Sequence, residues 1–147
     1  MALPRLVGIN HVALEVGDLD AALEFYGRFV SFELRGRVPG MAFLDAGDQF
    51  VALAEGRAGG ADAERHFGLV VSDGEAAREA LARAGIEPEP GRGLQVRDPW
   101  GNLVEIVDYR EIQFTKAPGV LAGMGLEGLE KTAAAQEELA EKGLGGA

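Results

Sequence analysis

The chain has 147 residues, of which 47% are hydrophobic and 26% charged, and its formal net charge is -10 at pH 7. This size favours one globular domain that buries its own core without disulfides or a structural metal. The negative charge argues against nucleic acid or an anionic membrane as a partner, because both attract clustered Lys and Arg. The absence of cysteine excludes thiol catalysis and cysteine-ligated zinc.

No targeting or membrane segment is evident in the sequence. Residues 1–7 lack the long apolar run of a signal peptide, and no run of about 18 apolar residues could form a membrane helix. We therefore expect a cytoplasmic protein that binds neither nucleic acid nor a membrane.

The first half of the chain is predicted to fold as strand, helix, strand, strand, strand. Alternating apolar residues indicate a strand over 7–16, and Asp18 is suited to cap a helix that ends near Val30. Three short strands follow over 32–38, 41–45 and 49–54, separated by glycine-containing turns. Residues 55–62, rich in Gly and Ala, link this half to the next.

The second half repeats this order. A strand is predicted over 65–71, then a helix capped by Asp73 that ends at Ala84, with Gly85 as a left-handed stop. Strands follow over 86–89, 93–97 and 103–109, the last after a tight turn at 98–102. In the tail beyond, 126–142 has the composition of a helix. Since this helix is poor in hydrophobic residues, we expect it to pack on the body or on a second subunit.

An internal repeat relates the two halves. Residues 11–24 and 66–79 are identical at seven of fourteen positions, and the repeat pairs His11 with His66, the two histidines of the chain. Copies of one unit commonly pack about a pseudo-twofold axis, which is expected to bring both imidazoles towards a shared cleft. A lone strand histidine is more often a core residue than a ligand, but two in register favour a metal site.

A carboxylate completes the candidate site. The repeat extends to 50–54 and 103–107, and it places Glu105 where the first copy has Ala52. An ionised Glu among Val and Ile is costly unless a positive group meets it. The alternative is a salt bridge to Arg97 or Arg110. Two imidazoles and one carboxylate suit iron, manganese, cobalt, nickel or zinc, and they leave coordination positions open for substrate.

Residues 10–14, 18–26, 66–71 and 98–106 together resemble the vicinal oxygen chelate superfamily, which includes glyoxalase I, bleomycin-resistance proteins, fosfomycin-resistance transferases and extradiol dioxygenases. The resemblance implies an α+β fold in which two βαβββ modules form a curled sheet around a cleft, with metal ligands at His11, His66 and Glu105. It implies a domain over 1–110, with module one at 6–55 and module two at 65–109. Residues 111–147 are a C-terminal extension with a helix.

The chain departs from each well-known reaction of that superfamily. Ala52 stands where glyoxalase I and the epimerases have a fourth ligand, and no third histidine is present to serve as the acid-base catalyst of extradiol dioxygenases. Residues 87–94 offer only Arg92 where fosfomycin transferases have a basic, hydroxyl-rich loop. The reaction therefore stays open between a lyase or isomerase and a dioxygenase.

We expect an enzyme that binds one divalent metal ion per site and chelates neighbouring oxygens of a small organic substrate. Glu15 and Tyr109 each share a strand face with a ligand and are candidate proton-transfer residues, although Tyr109 could instead fill the core. The alternatives are a protein that sequesters a small molecule without chemistry, as bleomycin-resistance proteins do, and a metal-binding relic without activity. A homodimer is expected, either with modules exchanged so that His11 joins the partner's ligands, or without exchange.

Overall fold

A computed structural model describes residues 11–47, 49–56, 60–61, 66–91 and 93–144. Its strands are β1 (His11–Val16), β2 (Leu34–Val38), β3 (Met41–Asp45), β4 (Phe50–Glu55), β5 (His66–Val71), β6 (Leu94–Arg97) and β7 (Leu103–Asp108). Its helices are α1 (Leu19–Gly27), α2 (Gly74–Ala84), α3 (Pro118–Gly123) and α4 (Ala133–Glu141), with a one-turn 3-10 helix at Tyr109–Glu111. The α+β class and the repeated modules are confirmed. Over these residues no helix has the length and apolar character needed to cross a bilayer.

Each module contributes its own sheet. The first has the strand order β1-β4-β3-β2 and the second β5-β7-β6, and no strand pairing joins the two sheets in the described part of the chain. The first strand of each module pairs in parallel with the last, which sets His11 opposite Phe50 and His66 opposite Leu103. The predicted repeat is thus confirmed by the register of the backbone, while the two sheets remain separate within one chain.

Both predicted helix caps are present. The Asp18 carboxylate accepts from the Ala21 amide at the start of α1, and Asp73 accepts from two amides at the start of α2. Gly85 ends α2 with φ 69°, a left-handed conformation that costs glycine little. Helix α1 ends at Gly27, three residues before the predicted end near Val30.

A second carboxylate also caps each helix. Glu55 Oε1 accepts from the Leu19 amide at 3.1 Å, and Asp108 Oδ2 accepts from the Gly74 amide at 2.8 Å. Glu55 ends β4 and Asp108 ends β7, so these are equivalent positions of the two modules. Each module therefore ties the end of its last strand to the start of its helix.

The two modules share one hydrophobic core. Its buried members come from the inner faces of both sheets and from α1 and α2, and they include Leu14, Val16, Phe25, Tyr26, Leu53, Leu81, Val96, Val104 and Ile106. Because every strand alternates its side chains, the opposite face of each sheet is turned away from this core. The candidate site lies on those outward faces.

The turn at 98–102 fastens module two to module one. The buried Asp98 carboxylate accepts from the Tyr26 hydroxyl at 3.1 Å and from the Trp100 and Asn102 amides. Burial, together with the Asp98 charge and hydrogen bond, raises the pKa of Tyr26 far above its usual value. The Asn102 side chain in turn donates to the Glu15 carbonyl at 2.9 Å. The motif read from sequence as a turn is also the joint between the modules.

The strand predicted over 86–89 is wrong. Pro88 and Pro90 have no N–H to donate to a sheet, and the Glu89 amide makes one backbone bond, to the Gln95 carbonyl at 2.7 Å. Module two is therefore one strand short of the expected βαβββ order in the described residues. Residues 7–10 and 65 of other predicted strands lie outside the described residues.

The C-terminal extension folds onto the body. The helix predicted over 126–142 is present but starts later than predicted, because Gly128 adopts φ 83° and the chain enters α4 only after Thr132 caps it. Helix α3, which was not predicted, begins at Pro118. Ala135 and Leu139 of α4 are buried, in agreement with the expectation that this helix packs on the rest of the chain.

Candidate metal centre

Both predicted histidine ligands lie on the outward faces of their sheets. In β1 the residues Leu14 and Val16 are buried, whereas His11 and Glu15 are exposed on the other side of the strand. In β5 the residues His66, Gly68 and Val70 are exposed and alternate with partly buried residues. Each histidine is therefore the first residue of an equivalent strand and is turned away from the core.

His66 and Glu105 form a pair on the outward face of module two. The distance between His66 Nε2 and Glu105 Oε2 is 3.6 Å, and the two side chains are 43% and 32% exposed. Glu105 on β7 lies opposite Gly68 on β5. A side chain at Gly93 would place its Cβ 3.0 Å from Glu105 Oε1, so glycine there leaves room for the carboxylate. The pair is accessible and chemically suited to a divalent cation.

His11 is held by an aromatic and cationic cluster in module one. Its ring stacks on Phe50 with centroids 4.7 Å apart and planes inclined by 6°. The Arg35 guanidinium lies 4.8 Å from the centre of the same Phe50 ring. Arg35 itself is fixed by Asp45 and by the carbonyls of Gly47 and Gln49. The cluster thus gives the His11 ring a defined orientation on the outward face.

Within one chain the three predicted ligands are not gathered into one site. No group of three or more His, Asp and Glu among the described residues is placed to hold a metal ion. His66 and Glu105 come together in the second sheet, while His11 begins the edge strand of the first. The shared cleft expected from the repeat is therefore not formed by the described part of a single chain.

The alternative partners proposed for Glu105 have other ion pairs. Arg110 binds Asp108 at 2.6 Å and Asp73 at 3.3 Å. Arg97 forms an ion pair with Glu89 at 3.4 Å. The side chain that lies beside the Glu105 carboxylate is that of His66.

Glu15 and Tyr109, the two candidate proton-transfer residues, differ in their surroundings. Glu15 is exposed on β1, on the same side as His11. Tyr109 is buried, because β7 ends at Asp108 and the chain turns into a 3-10 helix. The Tyr109 hydroxyl accepts from the Lys116 amide at 3.3 Å, and Lys131 lies over the ring. Tyr109 therefore packs between the body and the extension.

Sequence reasoning did not identify the residues that support the ligands. The positions of Phe50 opposite His11 and of Gly93 beside Glu105 depend on strand register. The aligned segments 50–54 and 103–107 of the repeat contained part of this information, because they include Phe50 and Glu105. Arg35 could not be found from its own segment, because its partners lie ten to fourteen residues further along the chain. Arg92, weighed as a substrate-binding residue, lies outside the described residues.

A comparison with models of protein families identifies the superfamily of this chain. The model of the Glyoxalase/Bleomycin resistance protein/Dioxygenase superfamily matches residues 8–106, about two thirds of the chain. The chain belongs to this superfamily. A search of curated proteins finds no significant match.

Solved structures of the glyoxalase superfamily share this fold. A protein assigned to the glyoxalase family from Bacillus anthracis is 20% identical with a TM-score of 0.62, over 73% of this chain and 98% of its own. A variant of the fosfomycin resistance protein FosX from Listeria monocytogenes, complexed with Mn(II) and 1S,2S-dihydroxypropylphosphonic acid, is 18% identical with a TM-score of 0.60, over 70% and 90%. Lactoylglutathione lyase from Agrobacterium tumefaciens is 25% identical with a TM-score of 0.58, over 71% and 96%.

Proposed function

We propose that two copies of this chain form a dimer in which the edge strand β1 of each copy pairs with the edge strand β5 of the other. The dimer holds one divalent metal ion in each of two composite sites. His11 of one subunit joins His66 and Glu105 of the other. Each site then binds neighbouring oxygens of a small organic substrate and catalyses a lyase or isomerase reaction, with a dioxygenase reaction as the alternative. The observation that carries this proposal is the accessible His66–Glu105 pair, which has two of the three ligands needed.

The positions of β1 and β5 at the edges of their sheets support this pairing between copies. In the described part of the chain, β1 pairs only with β4 and β5 pairs only with β7. An edge strand offers unpaired N–H and C=O groups to another strand. A twofold dimer can pair β1 of each copy with β5 of the other, and this pairing occurs twice because the interface is symmetric. In the register that brings the first residues of the two strands together, this pairing would set His11 of one copy next to His66 of the other.

The donor set fits a divalent transition metal. Two neutral imidazoles and a carboxylate are the ligand types used by catalytic zinc, iron and manganese sites, and they leave positions for substrate oxygens. Ala52 occupies the position equivalent to Glu105 and has only a methyl group. Three protein ligands are therefore expected at each site, with the remaining positions open.

Two structural neighbours support the choice of chemistry. The FosX structure named above holds Mn(II) with a dihydroxypropylphosphonic acid, which has oxygens on neighbouring carbons. Lactoylglutathione lyase from A. tumefaciens is named for a lyase reaction. By analogy we assign this chain a small substrate with neighbouring oxygens. The same analogy favours lyase or isomerase chemistry over oxygen activation.

When bound, the metal ion would act as a Lewis acid that stabilises negative charge developing on substrate oxygens. The chain's own part is to orient the substrate and to move protons. Glu15 lies four residues from His11 along β1, about 13 Å at the rise of a strand. It can serve as a base only for a substrate that extends along β1, and its exposed carboxylate is available for that.

Metal content tests this proposal. Protein purified without chelators should contain about one divalent ion per chain and should sediment as a dimer. His66→Ala and Glu105→Ala should each remove the ion while leaving the protein folded, since both side chains are partly exposed. Glu137→Gln, at an exposed position of α4, is the matched control. Wild-type protein that takes up no metal on titration would contradict the proposal.

A further inference from the structure

The C-terminal extension lies beyond the residues that match the superfamily. The family model ends at residue 106, and the B. anthracis structure named above is covered over 98% of its own length but over only 73% of this chain. The extension also contains all three lysines of the sequence, Lys116, Lys131 and Lys142. Its role must therefore be sought in its own contacts with the two modules.

The two ends of the loop that carries α3 are fastened to each other and to module two. The Lys131 ammonium group donates to the carbonyls of Tyr109 and Phe114. The next amide, that of Thr132, donates to the Arg110 carbonyl at 2.8 Å. The start and the end of this loop are thus held at the close of β7, and α3 projects from a fixed base.

Helix α3 rests on module one. If Gly47 had a Cβ, Met124 Sδ would be 2.8 Å and Val120 Cγ1 3.3 Å from it. Gly47 connects β3 to β4. Helix α3 is described over its whole length, and none of its residues is buried and no side chain caps it. It is therefore a surface helix whose Val120 and Met124 side chains lie against Gly47.

A series of contacts leads from Gly47 to the proposed ligand His11. The Gly47 carbonyl accepts from the Arg35 guanidinium at 2.7 Å. That guanidinium lies 4.8 Å from the centre of the Phe50 ring, and the Phe50 ring stacks on His11 with centroids 4.7 Å apart. A displacement of Gly47 would therefore reach the His11 ring through Arg35 and Phe50.

We infer that α3 is a clamp that fixes the orientation of the His11 ring from outside the site. While Val120 and Met124 lie against Gly47, the connection between β3 and β4 stays in place and the stack on His11 is ordered. Both residues act through others and are positioning residues. The inference deepens the proposed function, because partners that orient a metal ligand strengthen binding of the metal.

Limited proteolysis tests whether these two side chains hold α3. A protease that cleaves after lysine can cut the chain only in the extension. Val120→Ser combined with Met124→Ser should speed cleavage after the buried Lys116, two residues before α3, and leave cleavage after the exposed Lys142 unchanged. Leu144→Ser, which removes another exposed apolar side chain of the extension, is the control. Unchanged cleavage after Lys116 would overturn the inference.

The two histidines allow the orientation of His11 to be followed directly. NMR of metal-free protein resolves one ring Cε1–H signal for each, and His66→Ala assigns them. In the Val120/Met124 double variant the His11 signal should move towards the position of an unstacked imidazole, and the His66 signal should move less. An unmoved His11 signal beside faster cleavage after Lys116 would overturn the inference.

Arg35→Gln tests the route between α3 and His11. It should move the His11 signal in the same direction, and adding the double variant should then move it little further, because both changes interrupt one series of contacts. Each should also weaken binding of Zn²⁺ by about tenfold. Shifts that simply add would show that α3 acts by another route, which would contradict the clamp.

Failure of the clamp and failure of the proposed function are distinguishable. Wild-type protein that takes up no metal would contradict the proposed function, and the His11 signal of metal-free protein would still test the clamp. Wild-type protein that binds Zn²⁺ as tightly as the Val120/Met124 double variant does would overturn the clamp and leave the metal site intact.

Discussion

Single residues fix how the two modules meet. The Trp100 ring of module two lies directly against Gly17, which connects β1 to α1 in module one. A Cβ added to Gly17 would be 2.0 Å from Trp100 Nε1, far closer than any van der Waals contact. Glycine is therefore required there for space. The residue lies between β1, the strand that carries His11, and helix α1.

Replacing Gly17 by Ala should therefore destabilise the protein. The added methyl group forces Trp100 out of its position, and overpacking of this kind costs about 1 to 3 kcal/mol. Urea unfolding measures the change in the free energy of unfolding. Gly27→Ala is the control, because a Cβ there meets nothing within 4 Å and Ala in place of Gly in a helix stabilises it by at most about 0.5 to 1 kcal/mol. Equal stability of the Gly17 variant and wild type would show that Trp100 is not held at this place.

At the scale of elements, the link from the last strand to the helix of module two depends on one carboxylate. Asp108 accepts from Arg110 at 2.6 Å and from the Gly74 amide at 2.8 Å. The Arg110 guanidinium, and then the backbone amides of Gly74 and Arg110, hold the pKa of Asp108 well below its usual value. The ionised carboxylate is therefore more stable in the folded chain than in the unfolded one.

This shift predicts how stability depends on pH. A lowered folded pKa stabilises the protein above the unfolded pKa of about 4, and the contribution is lost as the pH falls towards the folded pKa. Asp108→Asn should cost about 1 to 2 kcal/mol at pH 7, and the difference from wild type should shrink below about pH 4. Urea unfolding between pH 7 and pH 3 measures this. Glu137→Gln should show no such trend, and a gap between wild type and Asp108→Asn that stays constant with pH would argue against the assigned role.

The elements that sequence predicted well are those with local causes. Asp18 and Asp73 cap their helices through amides two or three residues away, and Gly85 stops α2 through its own backbone conformation. The repeat also predicted the register that sets Glu105 in the place of Ala52. Such signals are readable because their donors and acceptors lie in one short segment.

Other features depend on residues that are distant in sequence. The hydrogen bond from Tyr26 to Asp98 spans 72 positions, and the second caps at Glu55 and Asp108 span 36 and 34. No local pattern marks these partners before the chain is folded. The strand predicted over 86–89 failed for a local reason, since Pro88 within it has no N–H to donate to a sheet.

At the scale of the whole molecule, the described part of one chain has two of the three predicted metal ligands in one place and the third in another sheet. The site residues themselves were predicted from the repeat and the resemblance, and their ligand roles stay predictions. What sequence could not settle is whether one chain or two supply the site, because the same repeat is compatible with both. In the proposed arrangement the two chains would meet at β1 and β5, which lie at the edges of their sheets in the described ranges.

A mixed dimer tests this most directly. Chains with His11→Ala and chains with Glu105→Ala, carrying different tags, are produced together and the heterodimer is isolated through both tags. In the proposed arrangement one of its two sites has all three ligands, from His11 of one chain and His66 and Glu105 of the other. The heterodimer should therefore contain about one metal ion per dimer, while each homodimer contains none. A metal-free heterodimer beside a metal-loaded wild type would contradict the composite site.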